Sequence, residues 1–283
     1  MLALAAALPA RAHHPASVEP AALASLWTFE PWVVVPLLAS AALYAIGVRR
    51  LWRRAGIGRG ISTREVASFT AAWLVLAVAL VSPVDALGGA LFSMHMVQHE
   101  LMMVVAAPLF VAARPLEAWT WALAPRWRRA LGRVARRGSW LAAWRAITEP
   151  AGAWIFHALA IWMWHVPVLF EAAVASEAVH ALQHATFLAS ALCFWWSVSA
   201  RAARADAVAL ASLFTTMLHT GALGALLTFA RAPWYAHYLD AAAFGLTGLE
   251  DQQLGGMVMW VPGGLAYVVA GLALIGKRIP AGT

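Results

Sequence analysis

The sequence predicts an all-α protein of the polytopic membrane class, a helical bundle with seven transmembrane helices. Its 283 residues are 63% hydrophobic and only 12% charged, a composition outside the range of soluble domains. Sixteen tryptophans fit this class, because tryptophan favours membrane interfaces. Seven apolar segments approach the roughly 20 residues that a membrane crossing needs, and none shows strand-like alternation. These segments are 32–48, 66–81, 90–112, 151–170, 179–200, 207–229 and 254–276.

The basic residues predict the orientation of the bundle. Nearly all of the 20 lysines and arginines lie in the 49–65 and 113–150 loops or directly after the fifth and seventh segments. The alternate side of the membrane keeps only Arg11 and Arg231. Because basic loops stay in the cytoplasm, the N-terminus is expected outside the cell and the C-terminus in the cytoplasm.

The seven-helix domain is assigned to residues 31–276 and includes the 113–150 loop. Residues 1–30 are predicted to be a leader or a disordered periplasmic N-terminus, and whether the leader is cleaved stays open. The 113–150 loop interleaves arginine with tryptophan, which indicates a basic amphipathic helix on the anionic inner leaflet and makes membrane lipid an expected partner. Residues 277–283 form a cytoplasmic tail. This topology explains the net charge of +7, so nucleic acid is not an expected partner.

Histidines are concentrated in the apolar segments, mostly toward the outer side. His95 and His99, and likewise His180 and His184, are four residues apart, which places both rings of a pair on one helix face. A polar ring is costly in lipid, so it usually faces a bundle interior and serves a function. Methionines crowd the same region, and imidazole with thioether is a ligand set suited to copper. The predicted metal ligands are His95, His99, His165, His180, His184, Met94, Met96 and His219.

Four further polar residues are candidates for a gate or for the surroundings of the metal. Glu100 points away from the His95 face and is available to another helix or to protons. Asp251 and Gln252 stand at the mouth of the seventh segment, where they either cap that helix or form a gate. His157 lies two turns deeper than His165 and is either a secondary site or a structural hydrogen bonder between helices.

An ordered set of motifs resembles the CtaG-type cytochrome c oxidase assembly factors. The resemblance covers roughly residues 30–276 and implies an inner-membrane protein needed to assemble haem-copper oxidase, through copper supply. It implies His95, His99, His165, His180 and His184 as ligands, with His219 and Asp251 as further candidates. The matching segments are 94–99 (MHMVQH), 106–109 (AAPL), 162–167 (WMWHVP), 180–184 (HALQH), 194–196 (FWW), 233–235 (PWY), 251–256 (DQQLGG) and 259–263 (MWVPG).

Together these observations favour a non-enzymatic assembly factor of the bacterial inner membrane. It would bind copper on its outer side and deliver it to a cytochrome c oxidase subunit. A copper transporter or channel, in which His157 and His219 continue the path inward, is one alternative. A seven-helix membrane hydrolase, with zinc in place of copper, is a second, and bis-histidine haem ligation is a third. The identity of the metal, the number of metal sites and the existence of a homodimer stay open.

Overall fold

A computed structural model of the protein describes residues 26–199, 205–239 and 241–276. All regular elements in these three stretches are helical, as the sequence predicts. The predicted tail and most of the predicted leader lie outside the described residues. In chain order the helices are α1 (Pro31–Ala55), α2 (Thr63–Val81), α3 (Pro83–Ala90), α4 (Phe92–Ala112), α5 (Pro115–Ala122), α6 (Pro125–Ala135), α7 (Gly138–Thr148), α8 (Pro150–Trp164), α9 (Pro167–Ala175), α10 (Glu177–Val198), α11 (Ala205–Thr228) and α12 (Gly248–Gly276), with 3-10 turns at Ala236–Tyr238 and Ala242–Phe244.

Long apolar helices dominate this architecture. Within the described residues, five helices are long and apolar enough to cross a membrane, namely α1, α2, α4, α11 and α12. The bent pair α8 and α9 makes six if the two count as one span. Helix α10 has 22 residues, but His180, Gln183 and His184 make its N-terminal half more polar. The chain is therefore a multi-pass membrane protein.

The fourth predicted segment, 151–170, is not one straight helix. Helix α8 ends at Trp164 and α9 begins at Pro167, with an angle of 76° between them. Proline lacks a backbone N–H and disfavours helical geometry in the residue before it. Val166 accordingly has an extended backbone, with φ −63° and ψ 126°. The break leaves the carbonyl of His165 outside the helical ladder, where it accepts a hydrogen bond from the Tyr235 hydroxyl at 2.9 Å.

Two of the long helices contain a π-helical segment. In α4 this segment is Leu101–Ala106, which begins directly after Glu100. In α12 it is Met259–Gly263, which includes Pro262. A turn of π-helix contains more residues than a turn of α-helix. Side chains before and after a π segment therefore do not share the helix faces that α-helical spacing would give. The spacing of an ideal α-helix therefore does not carry through the inner half of α4.

The long basic loop contains three short helices, of which α6 begins at Pro125 and α7 at Gly138, two residues that interrupt a continuous helix. Helix α5 packs against α1, where Gly47 approaches the backbone of Ala118 so closely that a Cβ would lie 1.8 Å from the Ala118 carbonyl oxygen. Helices α6 and α7 contain no buried residue, and they expose Trp127 and Trp140. The indoles and guanidinium groups remain interleaved, with the Arg128 guanidinium 4.2 Å from the ring centre of Trp121.

Helix α4 runs through the middle of the bundle. One apolar cluster joins it to α8, α10, α11 and α12, and a second cluster joins it to α1 and α2. Helices α11 and α12 approach closely at Gly224 and Gly256, because a Cβ on Gly224 would lie 2.7 Å from the Gly256 carbonyl oxygen. This contact agrees with the role of small residues between membrane helices. The packing brings the N-terminal ends of α4, α10 and α12 to one end of the bundle.

Candidate metal centre

The two histidine pairs meet between α4 and α10. One ring nitrogen each from His95, His180 and His184 lies within 4.8 Å of the other two. All three residues lie within two turns of the N-terminal ends of these helices, because α4 begins at Phe92 and α10 at Glu177. Nitrogens that share one ion at about 2.0–2.1 Å stand about 3.3 Å apart in a tetrahedral site. Small rotations of the side chains are enough to reach that spacing.

His99 extends the group one turn deeper along α4. Its ring centre lies 4.3 Å from that of His95 and 5.2 Å from that of His184. Both of its ring nitrogens are buried and make no hydrogen bond within the part of the chain that the structure describes. A buried polar group without a partner costs free energy, so a ligand at this position would relieve that cost. His99 is therefore a suitable fourth ligand.

A tyrosine fixes the orientation of the His95 ring. The Tyr238 hydroxyl donates to the carbonyl of Gly88 at 2.7 Å and lies 3.2 Å from Nδ1 of His95. Burial, followed by the nearby Asp251 and Glu171 carboxylates, raises the pKa of Tyr238 well above its usual value, so the hydroxyl keeps its proton. Because that proton goes to Gly88, Nδ1 of His95 must be the donor to the hydroxyl oxygen. The lone pair of neutral His95 is then on the buried Nε2.

His165 is held in the same tautomer at the break between α8 and α9. Its Nδ1 donates to the carbonyl of Ile161 at 2.7 Å, which leaves a lone pair on the buried Nε2. The ring lies against Phe170 and Phe187, with ring centres 6.4 and 6.2 Å away. Phe170 also contacts His95, and Phe187 also contacts His99, so His165 lies beside the group. Its nitrogens are not among the three that lie closest together.

Three of the four histidines are almost fully buried from solvent. The exposed fractions of His95, His99 and His184 are only 1%, 2% and 9%. Gln183 lies one turn after His180 and is fully buried, with its side chain beside that of His95. The sequence analysis missed Gln183, although its position inside the 180–184 motif was a signal. Neutral imidazoles in a low-dielectric pocket suit a soft cation better than a strongly hydrated one.

Asp251 has a different role from either of the two predicted for it. Its carboxylate accepts hydrogen bonds from the backbone N–H groups of Phe92 and Ser93, at 2.6 and 3.1 Å, and from the Ser93 hydroxyl at 2.5 Å. It therefore caps α4 rather than its own helix. Helix α12 is capped instead by Thr247 and Glu250. The Asp251 cap fixes the first turn of α4, which carries His95 one turn later.

Gln252 and Gln98 are also structural. The side-chain oxygen of Gln252 accepts from the backbone N–H of Trp234 at 2.5 Å, which ties the loop before α12 to that helix. Gln98, which the sequence analysis did not single out, donates to the Ala79 carbonyl and to Asp85, both at 2.8 Å. These bonds join α2, α3 and α4 on the side of α4 opposite the other helices.

The methionines predicted as ligands lie beside the histidines in sequence but on other faces. Met96 is 1% exposed and packs in the apolar core, where a Cβ on Gly255 would lie 3.2 Å from its Cγ. Neighbouring residues on a helix diverge by about 100°, so Met96 turns toward α12 while His95 turns toward α10. Met94 is partly buried.

His157, His219 and Glu100 lie deeper and apart from this group. Nδ1 of His157 lies 3.1 Å from the Ser190 hydroxyl, and the ring stacks on Phe194. The Trp162 indole donates to Nδ1 of His219 at 3.3 Å. A carboxylate oxygen of Glu100 is buried against Gly263, where a Cβ would lie 2.8 Å from it. His157 and His219 thus connect α8 to α10 and α11.

Comparison with known proteins identifies the family. Curated proteins and solved structures give no significant match. A family model described as "Cytochrome c oxidase caa3 assembly factor (Caa3_CtaG)" matches residues 42–279, which covers most of the chain and all the histidines of the centre. This match confirms the resemblance seen in the motifs. The chain belongs to the caa3-type cytochrome c oxidase assembly factor family.

Proposed function

We propose that this chain binds a copper ion between α4 and α10 and delivers it to a cytochrome c oxidase subunit during assembly of the oxidase. The observation that carries the proposal is the approach of His95, His180 and His184 to within 4.8 Å of one another, with His99 beside them. Imidazole ligands suit copper, and the family assembles an oxidase. Copper is here a cargo, so the site has to release it as well as bind it.

The geometry of the site supports both binding and release. The Tyr238 hydroxyl and the Ile161 carbonyl hold His95 and His165 with a lone pair on Nε2, so these rings need no proton loss to bind a metal. The close nitrogens lie within two turns of the helix ends, about 10 Å or less from the aqueous side at 1.5 Å per residue. An ion there is within reach of a partner docked at this end of the bundle.

The proposal includes seven spans, with the N-terminus outside the bacterial inner membrane. It adds two spans to the five helices that are long and apolar enough to cross a membrane. These are α8 with its bent continuation α9, and α10. Gln183 and His184 of α10 are buried and His180 is partly buried, so these polar side chains are largely shielded from lipid, which supports counting α10 as a span. The metal centre then lies on the outer side, and the arginines of the 49–65 and 113–150 loops lie in the cytoplasm.

A transporter is a weaker candidate because the inner half of the bundle offers a poor path for metal. One ring nitrogen of His157 and one of His219 are engaged by Ser190 and Trp162. A zinc-dependent hydrolase remains the enzymatic alternative, since three histidines are also a zinc ligand set. The two metals are separated by analysis of the purified protein.

The test is the metal content of full-length protein purified from copper-supplemented cells. We expect about one copper per chain in the wild type and a large loss in the His95→Ala and His184→Ala variants. The matched control is His219→Ala, which removes a histidine outside the centre and should keep the copper. Cells that carry the first two variants should assemble little copper-loaded oxidase. Copper-free wild-type protein, or copper that survives both substitutions, would overturn the proposal.

A further inference from the structure

A groove at the membrane face of α1 and α2 has features of a lipid site. Its volume is about 330 Å³, which falls in the range of small-molecule sites. The stacked rings of Tyr44 and Phe69, with centres 3.7 Å apart, form its floor. Trp52 and Trp73 form its walls. The groove is distant in sequence from the metal centre and contains none of its ligands.

The polar atoms of these aromatic side chains all bond to the backbone. The Tyr44 hydroxyl donates to the carbonyl of Ala113 at 3.1 Å. The Trp52 and Trp73 indoles donate to backbone carbonyls at 2.8 Å each. Apart from Thr70 and Arg49, the lining side chains therefore present mainly carbon to whatever fills the groove. An extended hydrocarbon chain matches such a surface, whereas a polar ligand would lose its hydrogen bonds there.

One end of the groove carries a cation. Arg49 lines this end, is exposed, and makes no ion pair among the described residues. Arg53 and Arg54 follow in the last turn of α1 and add positive charge to the same region. On α1 the groove runs from Ala41 to Trp52, which is about 17 Å along the helix, and Arg49 lies near its Trp52 end. A charge at one end of an apolar slot matches a lipid with an anionic head group.

We propose that this groove binds one acyl chain of an acidic phospholipid, with the lipid phosphate at Arg49. Under the topology proposed above, Arg49 lies at the cytoplasmic surface, so the lipid comes from the inner leaflet, where anionic head groups attract juxtamembrane arginines. Bound lipid would cover the aromatic floor between α1 and α2. The proposal depends on that topology but is independent of the metal centre.

The test is native mass spectrometry of the full-length protein after exchange from nanodiscs that contain phosphatidylglycerol or phosphatidylcholine. Wild-type protein should retain one phosphatidylglycerol more tightly than phosphatidylcholine. Ala45→Phe, which fills the groove, should remove both lipids. Arg49→Gln should weaken only phosphatidylglycerol, by about fivefold, because one arginine near a membrane surface contributes about 1 kcal/mol. Arg53→Gln, a matched substitution one turn away on α1, should change retention less.

Several outcomes would overturn the proposal. Equal retention of the two lipids by wild-type protein would exclude a role for Arg49. Unchanged retention in Ala45→Phe would place the lipid elsewhere. Competition by inorganic phosphate alone would indicate an anion site without an acyl chain. Conversion of a wild-type dimer to a monomer by Ala45→Phe would assign the groove to a second copy of the chain. Loss of copper plays no part in any of these readouts, so a failed metal proposal would leave this one standing.

Discussion

Removal of the Asp251 carboxylate should destabilise the whole outer end of the bundle. In Asp251→Ala, the N–H groups of Phe92 and Ser93 and the Ser93 hydroxyl lose their shared acceptor. Each hydrogen bond to a charged group contributes about 1.5–3 kcal/mol, but bonds that share one acceptor are not additive. We expect the free energy of unfolding to fall by about 3–5 kcal/mol, the usual cost of leaving buried partners of a charge unpaired.

The assay is unfolding in mixed micelles by titration with sodium dodecyl sulfate, followed by tryptophan fluorescence. Asp251→Asn keeps one acceptor oxygen, so it should lie between Asp251→Ala and the wild type. The matched control is Glu250→Gln, because Glu250 is the adjacent acidic residue and is exposed at the start of α12. Its effect should be much smaller. An Asp251→Ala protein as stable as the wild type would refute the assignment of Asp251 as the cap of α4.

Three further substitutions test separate parts of the structure. Tyr238→Phe removes the acceptor of the His95 Nδ1 proton and should lower copper affinity about 10- to 100-fold in a chelator competition titration, whereas unchanged affinity would contradict this role. Gly256→Val places a side chain against the backbone of α11. The free energy of unfolding should fall by at least about 1–3 kcal/mol. An unchanged free energy would mean that the two helices can move apart without cost. Ser62→Ala removes the cap of α2 and should cost about 1 kcal/mol with unchanged copper content, so copper loss there would indicate a global defect.

Helix class and the histidine pairs could be predicted from the sequence because both depend on local patterns. Long apolar segments determine the all-helical fold, and spacing by four residues determines that His95 and His99 share a face, as do His180 and His184. The structure brings these two faces together. Pro167 also gave a local signal for the break that follows His165.

The connections between distant parts of the chain could not be predicted in the same way. Asp251 caps a helix that begins 159 residues earlier, and no local pattern near Asp251 distinguishes that cap from one on its own helix. Tyr238 reaches His95 across 143 residues. Met96 packs against Gly255 of α12, because proximity in sequence does not imply a shared helix face with His95.

The most direct test of the central claim is X-ray absorption at the copper edge of the full-length protein loaded with one copper ion. The account predicts a shell of three or four nitrogen ligands at about 2 Å, with the multiple-scattering pattern of imidazole and no sulfur ligand. It also predicts that His184→Ala lowers the number of imidazoles. A sulfur-dominated shell, or a spectrum unchanged in His184→Ala, would contradict a copper site made by His95, His180 and His184.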